Sequence, residues 1–164
     1  MLTLRPAAMH DIPKISHLAE IIWNQHYRSI ISEDQIRYML GRMYSNESLK
    51  EQMEVKQHLF FFIEDEKETL GFLSAHRVEG HRWFLNKFYI LQEKAGKGIG
   101  SKAFDLLCQR LGAEHITLTV NRQNFKSINF YFKKGFTIDH VADFDIGNGY
   151  VMNDFVMVWK ATQQ

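Results

Sequence analysis

The chain has 164 residues, 45% apolar and 13% aromatic, which suffices for one well-cored domain and little more, so residues 1–164 are read as a single domain. Twenty basic against nineteen acidic residues leave a net charge of +1, which supplies no field favouring nucleic acid or an anionic membrane, and neither partner is expected. The lone cysteine, Cys108, has no partner for an internal disulfide, and no run of about eighteen apolar residues suggests a membrane span.

The opening run MLTLRPAAMHDIPKI lacks the basic-then-apolar order of a signal peptide, and a cytoplasmic location is expected. Leu2 to Ala7 alternates apolar and polar residues as a short first strand. Asp11 is placed to cap a helix through Pro13, Ile15, Leu18, Ile21 and Ile22, fading near Tyr27. Ser32 and Gln35 form a capping-box pattern ahead of a second amphipathic helix through Ile36, Met39, Leu40 and Met43, with a further short helical piece after Asn46. From His58 the period shortens. HLFFFIED, TLGFLSAHRV and RWFLNKFYIL read as three consecutive antiparallel strands, joined by EDEKE and by a turn at Gly80. Ile99, Ala103, Leu106 and Leu107 return to helical spacing, and Cys108 reads there as a small buried residue rather than a nucleophile. HITLTV is a strand, NFKSINFYFKKG is a helix ended by Gly135, and FTIDHV and YVMNDFVMVW are two strands separated by GNG. The order predicts an α+β fold: a mixed, mostly antiparallel central sheet of about seven strands flanked by about four helices. Eight histidines form no HExxH pair and have no cysteine cluster beside them, so no metal site is expected.

Three glycines, Gly96, Gly98 and Gly100, stand within five positions where an apolar strand gives way to a helix. Amides at a helix start have no intrahelical acceptor, and the helix dipole adds positive character, so such a turn suits an anion. The glycines would let a phosphate settle on those donors, with Lys97 and Ser101 beside it. A P-loop needs Gly-Lys followed by Ser or Thr, whereas Gly100 precedes Ser101 and Lys102. A dinucleotide fingerprint fails as well, because Ser101 occupies the last glycine position and too little chain follows.

A second motif narrows the reading. Asn124, Ser127, Phe130, Tyr131, Gly135 and Phe136, taken with GKGIGS, resemble the two core motifs of the GCN5-related N-acetyltransferases, the GNAT superfamily. The resemblance extends over essentially the whole chain and departs at Ala95, where the family usually has Gln or Arg. Lys94 and Lys97 are candidates to replace that charge. WNQHY, SEDQIRYML and GYVMNDFVM are also similar to a branch that includes bacterial polyamine acetyltransferases.

The resemblance implies acetyl-CoA as acyl donor. Its pyrophosphate would lie on Ala95, Gly96, Lys97, Gly98, Ile99, Gly100 and Ser101, and its pantetheine arm along the main chain of Phe88, Tyr89 and Ile90. Asn124 would contact that arm as well as cap its own helix. The strand at His115 would splay from the strand before the glycine turn, and a main-chain N–H there would stabilise the oxyanion. Tyr131 would protonate the departing thiolate. Many relatives place an acid near Asn86, but an amide is no base, and Glu79, His76 and His81 read as turn residues, so no base is assigned. Trp23, His26 and Tyr27 are candidates for the acceptor pocket, with Asp143, Asp145 and Asp154 as attractions for a cationic amine. The acceptor is expected to be a small-molecule amine, with protein amines and a non-catalytic CoA-binding module as alternatives. FTIDHV or the terminal strand would offer an exposed edge for a homodimer.

Overall fold

The computed structural model describes residues 1–162. The strands are β1 (Leu2–Pro6), β2 (Leu59–Asp65), β3 (Glu68–Glu79), β4 (Arg82–Ile90), β5 (His115–Asn121), β6 (Thr137–Gly147) and β7 (Tyr150–Lys160). The helices are α1 (Ile12–His26), α2 (Glu33–Tyr44), α3 (Asn46–Glu54), α4 (Ile99–Leu111) and α5 (Phe125–Lys133), with short 3-10 turns at Met9–Asp11 and Gln92–Lys94. The piece after Asn46 is thus a full helix, capped by the Ser45 hydroxyl accepting from the Ser48 amide. That makes five α-helices where about four were expected.

All seven strands form one sheet in the order β1-β2-β3-β4-β5-β7-β6, antiparallel except for β4 beside β5. Both faces of the sheet are covered. Phe60, Phe62 and Phe72 pack under α1, α2 and α3, while Phe61, Ile63 and Leu73 pack under α4 and α5. This explains why β2 reads as an unbroken apolar run: neighbouring side chains enter different cores.

Several local expectations change. Asp11 does not cap α1; its carboxylate accepts from the Ala8 amide and faces Arg5, closing the preceding 3-10 turn. Gln35 does not complete a capping box, because its amide reaches across to the Val151 carbonyl, although the Ser32 hydroxyl does accept from the Gln35 main chain. FTIDHV is only the first half of β6. Asn148 and Gly149 both adopt positive φ and make a two-residue turn, so β6 pairs with β7 as far as Gly147–Tyr150. The terminal strand is not an edge, since β7 lies between β5 and β6, and of those two strands only β6 is open to pairing. Cys108 is half-buried on α4 and burial pushes its thiol up to about 12, which keeps it inert. Among the described residues no helix is long and apolar enough to cross a membrane, and no cluster of three metal-ligating side chains occurs.

Candidate active site

The parallel strands β4 and β5 pair only at Arg82–His115, Trp83–Ile116 and Phe84–Thr117. Beyond that point they part. The register of β3 against β4 jumps from Ala75–Leu85 to Ser74–Lys87, leaving Asn86 as a bulged residue that bends β4 away from β5. Gly71 allows β3 to follow, because a Cβ there would stand 2.0 Å from the Tyr89 carbonyl oxygen. The Asn86 Oδ1 accepts from the His76 Nδ1 at 2.9 Å, and this amide offers no carboxylate for the chemistry.

Two cavities open into the gap. One, of about 280 Å³, runs from Ile90 past the glycine turn to α5. The other, of about 230 Å³, lies toward α1, α2 and the β6–β7 hairpin. Tyr27, Phe88, Tyr89, Asn124, Ser127 and Tyr131 line both, so these six side chains form the shared wall. Phe88, Tyr89 and Ile90 border the first cavity. Trp23 and Tyr27 line the second, but His26, anticipated with them, faces the first, where its Nε2 lies 3.4 Å from the Ile90 carbonyl. The helix α1 turns about 100° per residue, which separates His26 from its neighbour.

At the turn, Gly96, Lys97 and Gly98 take successive positive φ values of 102°, 56° and 72°. Such backbone explains the two glycines, while Lys97 bears a cost of about 1–2 kcal/mol as an L-residue. The amides of Gly96, Lys97, Gly98, Gly100 and Ser101 find no acceptor among the described residues; those of Ala95 and Ile99 are taken by the Gln92 and Gly96 carbonyls. The donor set is thus narrower than residues 95–101. A Cβ at Gly96 or Gly98 would meet nothing within 4 Å, whereas one at Gly100 would stand 3.2 Å from the Phe130 ring. Gly100 consequently serves close packing of α4 on α5. Lys94 is already bound to Glu68 at 2.5 Å, which commits its charge elsewhere. Lys134, unremarked in the sequence, donates to the Ser101 hydroxyl at 2.9 Å and to Asp105 at 2.7 Å, and so brings a cation to this helix start.

On α5, the Asn124 Oδ1 accepts from the Ser127 amide at 3.4 Å, which caps the helix, and its side chain also borders both cavities. The Tyr131 ring is wedged edge-on between Phe130 and Phe136, at 5.4 and 5.3 Å. Its hydroxyl has no hydrogen bond to another described residue, and burial, then Tyr27, keeps it protonated well above its ordinary range.

The hairpin walls one side of the second cavity. Tyr38 on α2 donates to the Ile146 carbonyl at 2.7 Å, Arg42 donates to the same oxygen, and Phe144, Ile146 and Met152 form the wall. Asp143 and Asp145 stay exposed, the first paired with Arg122 and the second accepting from the Gly147 amide. Asp154 differs: it is 6% exposed, lines the cavity, and its Oδ1 is buried without a partner. The sequence offers it only beside Asp143 and Asp145, as one of three attractions for a cationic amine. The alternation of Met152, Asp154 and Val156 on one face of a strand was the signal that it points inward.

A family model described as "Acetyltransferase (GNAT) family" matches residues 17–136. A spermidine N(1)-acetyltransferase of Thermoplasma acidophilum is 26% identical over 144 residues, 83% of this chain and 88% of that protein. The fold is similar to that of the PaiA N-acetyltransferase from Thermoplasma acidophilum in complex with coenzyme A, with a TM-score of 0.78, 24% identity and coverage of 98% and 99% of the two chains. It is also similar to a GCN5-related N-acetyltransferase from Rhodopseudomonas palustris, with a TM-score of 0.76, 17% identity and coverage of 97% and 95%. With nearly three quarters of its length matched by that model, the chain belongs to the acetyltransferase (GNAT) family.

Proposed function

We propose that the chain transfers the acetyl group of acetyl-CoA in one step to a primary amine of a small molecule, with a polyamine as the acceptor class. Family membership supplies the transferase activity and the donor. The observation that carries the rest is the meeting of two cavities at Tyr131, one bordered by unpaired main-chain amides and the other by aromatic side chains and a carboxylate.

The donor fits the first cavity. Five free amides at the start of α4 suit a pyrophosphate, and the open space above Gly96 and Gly98 leaves room for it. Past Phe84 the β5-facing side of β4 has no strand partner, so Phe88, Tyr89 and Ile90 can offer main-chain groups to an extended pantetheine arm. Asn124 would fix that arm where it borders the gap. The thioester would then lie beside Tyr131, whose retained proton suits it to protonate the thiolate as the C–S bond breaks. A free main-chain N–H of β4 would hold the oxyanion.

A small acceptor is favoured by the size of the second cavity, about 230 Å³, bounded on one side by the hairpin resting on α2. The spermidine acetyltransferase relative and the buried Asp154 support a cationic amine. In this reading residues 1–164 act as one domain, in the cytoplasm, and the free edge of β6 is where a second copy would pair. The test is thiol release from acetyl-CoA with spermidine, spermine and diamines, beside lysine peptides and amino-terminal peptides. Release with the small amines is expected. Release with peptides alone would transfer the reading to protein amines, and CoA binding without release would make the chain a binding module.

A further inference from the structure

We propose that Asp154 receives the acceptor's ammonium and takes its proton, making it the base that the sequence left unassigned. The inference rests on the amine-acceptor reading above and adds the residue that prepares the amine for attack.

The geometry begins with the sheet. Asp154 pairs with Asn121, the last residue of β5, so its Cα lies level with the wide end of the gap. Its side chain shares a face with Met152, whose sulfur accepts from the Gln35 amide under α2, and both residues line the acceptor-side cavity. A buried carboxylate normally has a cation or several donors around it, because desolvation without them costs several kcal/mol. The Asp154 Oδ1 has none.

The charged and titratable groups around it are already engaged. Arg122, at the end of β5, donates to the main-chain carbonyl of Asp154 at 3.3 Å and to Asp143 of β6 at 2.8 Å. Lys87 of β4 turns its ammonium toward α3, donating to Gln52 at 2.7 Å above the Tyr44 and Phe60 rings. From α1, β4 and α5 come Tyr27, Tyr89 and Tyr131, all protonated at neutral pH because burial raises them. A missing cation is thus the simplest complement to this carboxylate. The rings of Trp23, Tyr27 and Tyr89 surround the same space, with Trp23 at 4.3 and 6.0 Å from the other two, and aromatic faces also attract an ammonium. Burial, reinforced by Asp143 and opposed by Arg122, brings Asp154 up to about 6, where it can accept a proton and release it again near neutral pH.

The protons balance. Asp154 takes one from the ammonium, and the freed lone pair forms the C–N bond with the thioester carbon. The C–S bond breaks, the sulfur takes the Tyr131 proton, and the tyrosine oxygen regains one from the nitrogen as the amide forms. The proton on Asp154 passes to solvent, leaving amide, thiol and one released proton.

The test compares wild type with Asp154→Asn, using 1,4-diaminobutane as probe. Expected for the variant is a fall of about a hundredfold in kcat/KM at pH 7, with CoA affinity unchanged within about twofold. The wild-type profile should show an acid limb near pH 6; the variant should lose it and climb with unit slope toward higher pH, tracking the free amine. A variant that keeps the wild-type rate and limb overturns the inference while the acetyltransfer reading stands. Calorimetry of diamine binding to the CoA complex separates the two further. If wild type binds the diamine only with Asp154 intact yet frees no thiol, the ammonium site stands and the acceptor reading falls. Equal diamine binding by both proteins, or by neither, overturns the Asp154 assignment.

Discussion

The two sides of the gap between β4 and β5, the proposed donor and acceptor sides, are built from different materials. The donor side is mostly main chain: five free amides over a positive-φ turn, then a strand flank that its neighbour has left. The acceptor side is side chains drawn from α1, α2, β4, β5, β6 and β7, with the hairpin resting on α2 as one wall. In the proposed reaction main-chain groups would recognise what every acetyl-CoA shares, and that side would tolerate departures such as Ala95. Side chains choose among amines, so a single carboxylate on that side carries more consequence than any one residue of the turn.

The contrast breaks most severely at the position that serves both sides. Gly71→Ala would push a methyl to 2.0 Å from the Tyr89 carbonyl, and β3 and β4 would have to separate where the gap begins. A loss of about 3 kcal/mol or more in denaturant unfolding is expected, together with activity. Tyr131→Phe removes one oxygen at the meeting point of the cavities. Turnover should fall about a hundredfold, near 2.7 kcal/mol of barrier, with CoA affinity spared, as steady-state kinetics beside calorimetry would show.

Asp154→Asn should move stability in the opposite direction to activity. The folded carboxyl titrates near 6 against an ordinary 3.8, so the folded state holds the extra proton between those values. Its contribution to stability is present in full below about pH 4 and lost as pH rises through about 6. At pH 7.5 the amide should therefore raise the melting temperature, by an equivalent of about 2 kcal/mol, and the gain should vanish at pH 4. A smaller effect is expected at Gly98, where φ is 72° and alanine would cost about 1 kcal/mol and loosen CoA by a few-fold. Smallest is Lys94→Met: with its ammonium on Glu68, CoA affinity should change by less than about twofold.

The donor side was legible because its signals are local. Successive glycines before a helix, and an asparagine seven residues ahead of a tyrosine on the next one, lie in short windows of sequence. The turn still hid two details. Gly100 is bare because Phe130 packs on it, and Ser101 is met by Lys134, a partner 33 residues away. The acceptor side was less legible. Trp23 and Tyr27 line the second cavity but His26 faces the other, and Asp143 and Asp145 fall on β6 past the end of FTIDHV, whereas Asp154 lies on a strand legible in the sequence whose buried face only the pairing with β5 and β6 fixes.

By itself the sequence determined the strand and helix order, the glycine turn and the tyrosine-bearing helix, because periodicity, capping and positive φ are settled within a few residues of chain. Only the tertiary structure decided that β7 inserts between β5 and β6, that a bulge at Asn86 opens the gap, and that one carboxylate ends up buried without a partner. Those outcomes depend on which distant strands pair and on what water is excluded, and neither is a property of any short stretch.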